Sequence, residues 1–261
     1  MRRRLALASA AALAAPAGFA QPRGRGVDQR LRCGADLALS ASGLARALQG
    51  AFGRETGIAV QLIPSPASAL LAAARDGELD CALCNAPLEE AALEQQGLLH
   101  SRQRIATGAF LLVGPAGGPP LAAKSAPAAL AELAGGRASA ATPFLSPGDG
   151  SGTHLAEQRL WRAAGIAPAA AWHRAAAGDR AFVDQVREGG VWAIVERGAW
   201  LAGGGPRART MAAGDPELEV TVHALRSFRS PHPAGRLWSA WVGGGRGRAV
   251  AAAVRGYARA A

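Results

Sequence analysis

Short strand-like and helix-like segments alternate along almost all of this 261-residue chain, and that rhythm limits the fold more than any other feature. Leu31 to Leu37 reads as a strand. Ser42 to Arg54 is a helix, with Leu44, Ala47, Leu48, Ala51 and Phe52 at helical spacing and Gly53 and Gly57 at its end. Ile58 to Ile63 is a strand that Pro64 and Pro66 should stop. Ala67 to Arg75 returns as a helix, Leu79 to Cys84 is the next strand, and Pro87 to Gln96 is a helix with proline and acids at its start. Parallel strands need crossovers, and a helix supplies each one. The expectation is therefore an α/β fold with a mostly parallel sheet under helices.

At Ala109 to Val113 the chain runs into Gly114-Pro115-Ala116-Gly117-Gly118-Pro119-Pro120, punctuation that marks a passage between domains. Beyond it Pro127 to Leu133, Thr153 to Ala164 and Arg180 to Glu188 read as helices and Val191 to Val195 as a strand. Gly203-Gly204-Gly205-Pro206 breaks the pattern, and Leu218 to Leu225 reads as a returning strand. Two final helices, Ala234 to Val242 and Arg248 to Ala260, would pack back on the first domain. The expected division is residues 31–112 with 221–261 in one lobe and 113–220 in the other. Open sheets take guests at the carboxyl ends of strands, beside helix N-termini. Ser40 and Ser42 would then face the loop around Ser151 across a cleft that a hinge closes.

Composition sets the compartment and excludes some partners. Residues 1–20 carry Arg2 to Arg4, an apolar run from Leu5 to Ala15 and a small-x-small site at Gly18-Phe19-Ala20, which reads as a secretory leader with a linker over 21–30. The expected location is the periplasm; no other segment is long and apolar enough to span a membrane. The formal charge is +10, and the leader's three arginines account for part of it. The remaining arginines are scattered, with no basic helix interleaved with aromatics, so no nucleic-acid partner is expected. A basic protein still draws small anions. Cys33, Cys81 and Cys84 allow one disulfide in an exported chain, Cys33 pairing with Cys81 or with Cys84. Cys81 and Cys84 lie in an apolar strand and should face opposite sides of it, so structural cysteines are expected; no metal site is, because a second ligand pair is missing.

The segment with chemistry in it is Ser146-Pro147-Gly148-Asp149-Gly150-Ser151-Gly152-Thr153-His154, with Glu157 three residues on. It is a glycine-rich, hydroxyl-rich loop entering an amphipathic helix. The first N–H groups of a helix have no partner within it, and the macrodipole makes that end positive. Glycines let the backbone wrap a guest. Ser151 and Thr153 add hydroxyl donors, and Gly150 and Gly152 offer amides, so together they form an anion cradle. The plainer reading is a loop whose serine or aspartate caps a helix. Asp149 is suited to hold the loop through an Asx-type turn. His154 either donates to a ligand or caps and packs, and Glu157 stabilises the helix or its neighbour. Ser65 and Ser68 either reach the cleft or shape the turn around Pro64 and Pro66. Asp179 is a helix cap, with Arg180 beside it.

The stretch FLSPGDGSGTHLAEQRLW (Phe144 to Trp161) resembles the signature of the tungstate-binding proteins of bacterial ABC importers. ASGLARALQGAFGRETGIAV (Ala41 to Val60) resembles the family's first helix and second strand, DGELDCALCNAPLEEAALEQQG (Asp76 to Gly97) its third strand and following helix, and FLLVGPAG (Phe110 to Gly117) its crossover strand, while VWAIVERGAWLA (Val191 to Ala202) and GDPELEV (Gly214 to Val220) match later landmarks in order. The resemblance implies a type II periplasmic-binding-protein fold: two α/β lobes joined by two crossover strands, with a ligand cleft between them. It implies a small oxyanion ligand, tungstate or molybdate, and an ABC permease and ATPase as partners of a monomer that needs no cofactor. It supports Ser42, with Ser40, as a ligand contact; the plainer role for Ser42 is a helix N-cap. The chain departs from the family in two places. Pro147 stands where the family has an arginine, a residue that brings charge and forked donors, and Arg180 is the candidate to replace it. The hydroxyl run after the first strand is reduced to Ser40 and Ser42.

Two other readings compete with this one. A sensor or binding paralogue for another anion or a small organic acid accommodates the two departures. An exported serine hydrolase would use Ser151 as nucleophile and His154 as base, but a nucleophile elbow needs glycine at 149 and 153, and the two residues lie within one helical turn. The chain is therefore expected to be a binding protein without catalytic residues.

Overall fold

The alternation is realised strand by strand. The structure is a computed structural model that describes residues 30–118, 120–178, 180–203, 208–230 and 232–260. The expected leader, all but one residue of the linker, and Asp179 lie outside them. The first stretch runs β1 (Leu31–Asp36), α1 (Leu37–Ala41), α2 (Leu44–Thr56), β2 (Val60–Ser65), α3 (Ala67–Asp76), β3 (Cys81–Cys84) and α4 (Pro87–Gln95). β1 pairs in parallel with β2 on one side and β3 on the other. The seventeen-residue β4 (Leu99–Pro115) leads to α5 (Ala126–Glu132), β5 (Phe144–Ser146), α6 (Gly152–Ala163), β6 (His173–Ala175), α7 (Phe182–Arg187), β7 (Ala193–Glu196), α8 (Arg197–Ala202) and β8 (Ala208–Ala212). The chain returns through β9 (Glu219–Ser227) and ends in α9 (Ala234–Gly243), α10 (Gly245–Ala253) and β10 (Ala258–Arg259).

β4 belongs to two sheets. Its first part pairs antiparallel with β9 and β10, which continues the order β10-β4-β9-β3-β1-β2. From Phe110 onward it pairs with β7 and β8. β9 also crosses: Val220 packs with Phe110 and Leu112, while Val222 and Ala224 pack with β1. Two strands thus tie two lobes together, each lobe with its own core. In the first, Leu31, Cys33, Phe52, Ile105 and Trp238 fill one face of the sheet, and Leu70, Ala82, Cys84 and Leu225 the other. In the second, Phe110 and Leu112 of β4 join Phe144, Leu160, Trp161 and Trp192, while Leu111 and Val113 point oppositely toward Val186, Val195 and Trp200. The two-residue period of a strand sorts these side chains to the two faces. No helix among the described residues is long and apolar enough to cross a membrane.

Several boundaries move, each for a local reason. Asp36 ends β1 because its carboxylate accepts the Ala38 N–H (2.9 Å) and starts α1, a turn of helix that the leucine-rich Leu37–Leu39 does not announce. α2 therefore begins at Leu44, after Gly43 at φ 84°, and ends at Gly57 at φ 71°. β2 runs through Pro64, which pairs with Ala35 at the sheet edge, where the missing N–H breaks no ladder bond. The last helix stops at Ala253, so Ala258 and Arg259 can join β4. All three cysteines are free and buried. Cys33 and Cys81 are register partners facing one core, and Cys84 faces the other.

Candidate functional site

Two left-handed glycines and an aspartate shape the loop that enters α6. Gly148 (φ 66°) and Gly150 (φ 76°) occupy conformations that L side chains rarely adopt. Asp149 Oδ1 accepts the Ser151 N–H at 2.8 Å and closes an Asx turn. Ser151 is the cap of α6, its Oγ accepting the His154 N–H at 3.3 Å. His154 Nδ1 accepts the Gly150 N–H at 2.9 Å, and its Nε2 lies 3.1 Å from the Gln158 side-chain amide. The Gly152 N–H reaches across to Asp36 Oδ2 at 2.9 Å. Glu157 is buried and ties α6 to β6, accepting from Trp161 Nε1 (3.2 Å) and pairing with His173 Nε2 (2.8 Å).

The first lobe supplies the opposing surface. Ser68, in the first turn of α3, donates both its N–H and its hydroxyl to the Gly150 carbonyl, each at 3.0 Å. A Cβ on Gly150 would stand 2.9 Å from Ser68 Oγ, and one on Gly152 would overlap the Asn85 side chain. These two glycines are required by the approach of one lobe to the other. Asp36, completely buried, lies between α1 and α6. Burial raises its carboxyl to about 6, against the pull of the Gly152, Ala38 and Ala67 amides.

Beside this junction lies a cavity of about 200 Å³, below the ~300–1,000 Å³ typical of pockets for drug-sized ligands. Its walls are the α1 turn (Leu37, Ala38, Ala41), the loop into α6, the start of α7 and the β7–α8 junction. The polar lining is Ser151, Thr153, Asp149 and Glu196; Phe182, Val183 and Val195 make an apolar side. Ser151 and Thr153 are among the most buried polar residues of the chain, yet both front this space. Glu196 caps α8 through the Ala199 N–H (2.7 Å). Burial pushes its carboxyl up to about 7, with the Ala199 and Gly198 amides pulling the other way. No arginine, lysine or histidine is among the residues described as lining the cavity.

The structure brings Ser151, Thr153 and Asp149 to this cavity and leaves other candidates outside its lining. Gly150 and Gly152 spend their amides on His154 and Asp36. Ser42 is not among the residues lining the cavity; its hydroxyl donates to the Leu39 carbonyl (3.1 Å) and accepts from Tyr257 (2.8 Å). Ser40 Oγ donates to the Ala35 carbonyl at 3.4 Å. Arg180 is exposed and paired with Glu188, although its neighbours Ala181 to Val183 line the cavity. Asp36 and Glu196 were missed as site residues because nothing near them in sequence marks them; their partners come from distant segments.

The chain matches the model of the PBP superfamily domain over residues 38–223. A Haloferax volcanii protein, named by inference as an ABC transporter anion-binding protein, is 31% identical over 180 residues, 69% of this chain and 52% of its own length. The tungstate-binding protein TupA of Peptoclostridium acidaminophilum is 29% identical over 164 residues, 62% of this chain and 57% of its own. The chain thus spans a little over half the length of these curated relatives. Among solved structures, that of the tungstate ABC transporter from Geobacter sulfurreducens superposes with a TM-score of 0.74 at 24% identity, covering 87% of this chain and 99% of the other.

Proposed function

The chain belongs to the PBP superfamily, and on that footing we propose that it is the periplasmic solute-binding protein of an ABC importer, capturing a small oxyanion between its lobes. One observation carries the reading: Ser151 and Thr153 line the cavity beside α6, and the Thr153 N–H has no hydrogen-bond partner among the described residues. A helix N-terminus with free donors suits a negative solute. The lobes are 31–112 with 221–261 and 113–220, residues 1–20 are the export leader, and a monomer delivers its load to a permease and an ATPase. Tungstate and molybdate head the ligand series because one sequence relative is named as a tungstate-binding protein. Catalysis has no support, since the His154 ring accepts from the Gly150 amide and not from the Ser151 hydroxyl.

Isothermal titration of the purified chain against tungstate, molybdate, sulfate and phosphate tests the reading. Saturable one-to-one binding of at least one of them is expected, and heat from none would remove the oxyanion claim. A second reading, a small organic acid, is favoured by the apolar wall of Leu37, Phe182, Val183 and Val195. A native mass spectrum separates the two by the mass of whatever is carried through purification.

A further inference from the structure

The cradle at the start of α6 already holds an anion, and that anion is part of the chain. Ser151 N–H goes to Asp149 and Gly150 N–H to His154, so both are spent within the loop. Gly152 N–H goes to Asp36, a residue 116 positions away on the other lobe. The same carboxylate accepts the Ala38 N–H with its second oxygen, and the Ala67 amide at the start of α3 also stabilises it. One carboxylate thus gathers amides from three helix starts belonging to both lobes, as a bound oxyanion would be expected to do. Asp36 is wholly buried, and no guanidinium or ammonium acts on it among the interactions that set its charge.

We propose that Asp36 is the specificity-determining residue of the cleft: an internal anion that competes with the ligand for the amides of α6, so that a fully ionised oxyanion is captured only when Asp36 is neutral. The inference rests on the oxyanion reading and names its regulation. A dianion at the Thr153 N–H would sit next to the amide that Asp36 holds, with the two negative charges in a poorly solvated junction. The groups around Asp36 reinforce this. Asp149, on the loop before α6, raises it further. Glu196, at the β7–α8 junction, and Tyr257, near the C-terminus, are themselves pushed up by the Asp36 charge, as is Cys84 on β3. Every titratable neighbour in that set is acidic. A carboxyl lifted to about 6 takes up its proton in mildly acidic surroundings, so affinity for a dianion rises as pH falls through that value and is lost as pH rises above it.

The test uses sulfate and molybdate as probes, titrated calorimetrically from pH 5.0 to 7.5 against the full chain, Asp36→Asn and Asp36→Ser. Asparagine keeps the shape without the charge, and serine keeps a cap for α1 should asparagine fail to fold, with circular dichroism reporting the fold. The expected result is a rise of at least tenfold in the affinity of the native chain between pH 7.5 and 5.0. A variant should bind at least tenfold tighter than the native chain at pH 7.5, with that pH step gone. If the native chain binds at pH 7.5 and both substitutions weaken it, Asp36 is a structural tie between the lobes and the proposal is wrong, while the oxyanion reading stands. If no protein binds either probe at any pH, the Asp36 proposal falls, and the oxyanion reading falls with it only if tungstate and phosphate also give no heat.

Discussion

Asp36 and Glu196 hold their carboxyls out of water, and burial raises both, to about 6 and about 7. A raised carboxyl pKa means that the folded state keeps a proton which the unfolded chain has released. Between about pH 4 and 7 the folded chain therefore binds more protons at these positions, and their contribution to stability declines as pH rises. Each shift is roughly two pH units, or about 3 kcal/mol per group at 1.36 kcal/mol per unit. Urea unfolding should show a lower stability at pH 8 than at pH 5, and Glu196→Gln should flatten the upper part of that slope, between pH 5 and 7. A native profile that rises with pH across this window would contradict the assignment. The exposed carboxylates Glu55 and Asp76 shift the other way, downward, through Trp241 with Arg246 and through Arg75. At this scale the sequence was legible where chemistry is local. Asp149, Ser151 and Thr153 sit within five residues and declare a turn, a cap and a donor. Asp36 looks like the end of a strand until the fold brings Gly152 to it.

α6 joins the two kinds of information. Its position was readable because a cap, glycines and an apolar face coincide within twelve residues; the expected Thr153 to Ala164 is the observed Gly152–Ala163 shifted by one. α1 was not readable, because a single turn of helix has no periodicity to detect and depends on one Asp36 hydrogen bond. Displacing Ser42 toward Tyr257 follows from that turn. Ser151 has two duties in α6, capping the helix and fronting the cavity, and two substitutions separate them. Ser151→Ala removes the cap and should cost about 1 kcal/mol of stability, whereas Ser151→Gly should cost only a few tenths. Both lose the hydroxyl that fronts the cavity. Both should therefore weaken oxyanion binding severalfold in calorimetry, while only alanine lowers the denaturation midpoint appreciably. Equal affinity in all three proteins would take Ser151 out of the contact set. On β3, burial drives the thiols of Cys81 and Cys84 well above the usual range. All three cysteines should stay unreactive toward a water-soluble disulfide reagent until the chain unfolds, then react together.

The molecule as a whole is two cores joined by β4 and β9, with the lobes drawn together by short polar contacts near the cavity. Ser68 to Gly150 and Gly152 to Asp36 are among the hydrogen bonds that span the gap, and both depend on residue 150 or 152 lacking a side chain. The two-lobed plan was legible from the strand–helix alternation and the family resemblance, although β4 crosses at Phe110, before the Gly-Pro run, whereas the closeness of approach is set by packing between residues over eighty positions apart. Gly150 is the position where that closeness can be tested without touching either core. Alanine there meets Ser68 Oγ at 2.9 Å and must also adopt φ 76°, so the strain falls on the junction. Because a hinge can relieve the contact by opening, the lobes should separate while each keeps its packing. Small-angle scattering should then give Gly150→Ala a larger radius of gyration than the native chain, with circular dichroism unchanged. Saturating ligand should compact the variant toward the native value, because closure is then driven by the solute held between the lobes. A variant with native dimensions and a lowered melting temperature would instead mean that the two lobes form one rigid body, with the strain absorbed inside α6.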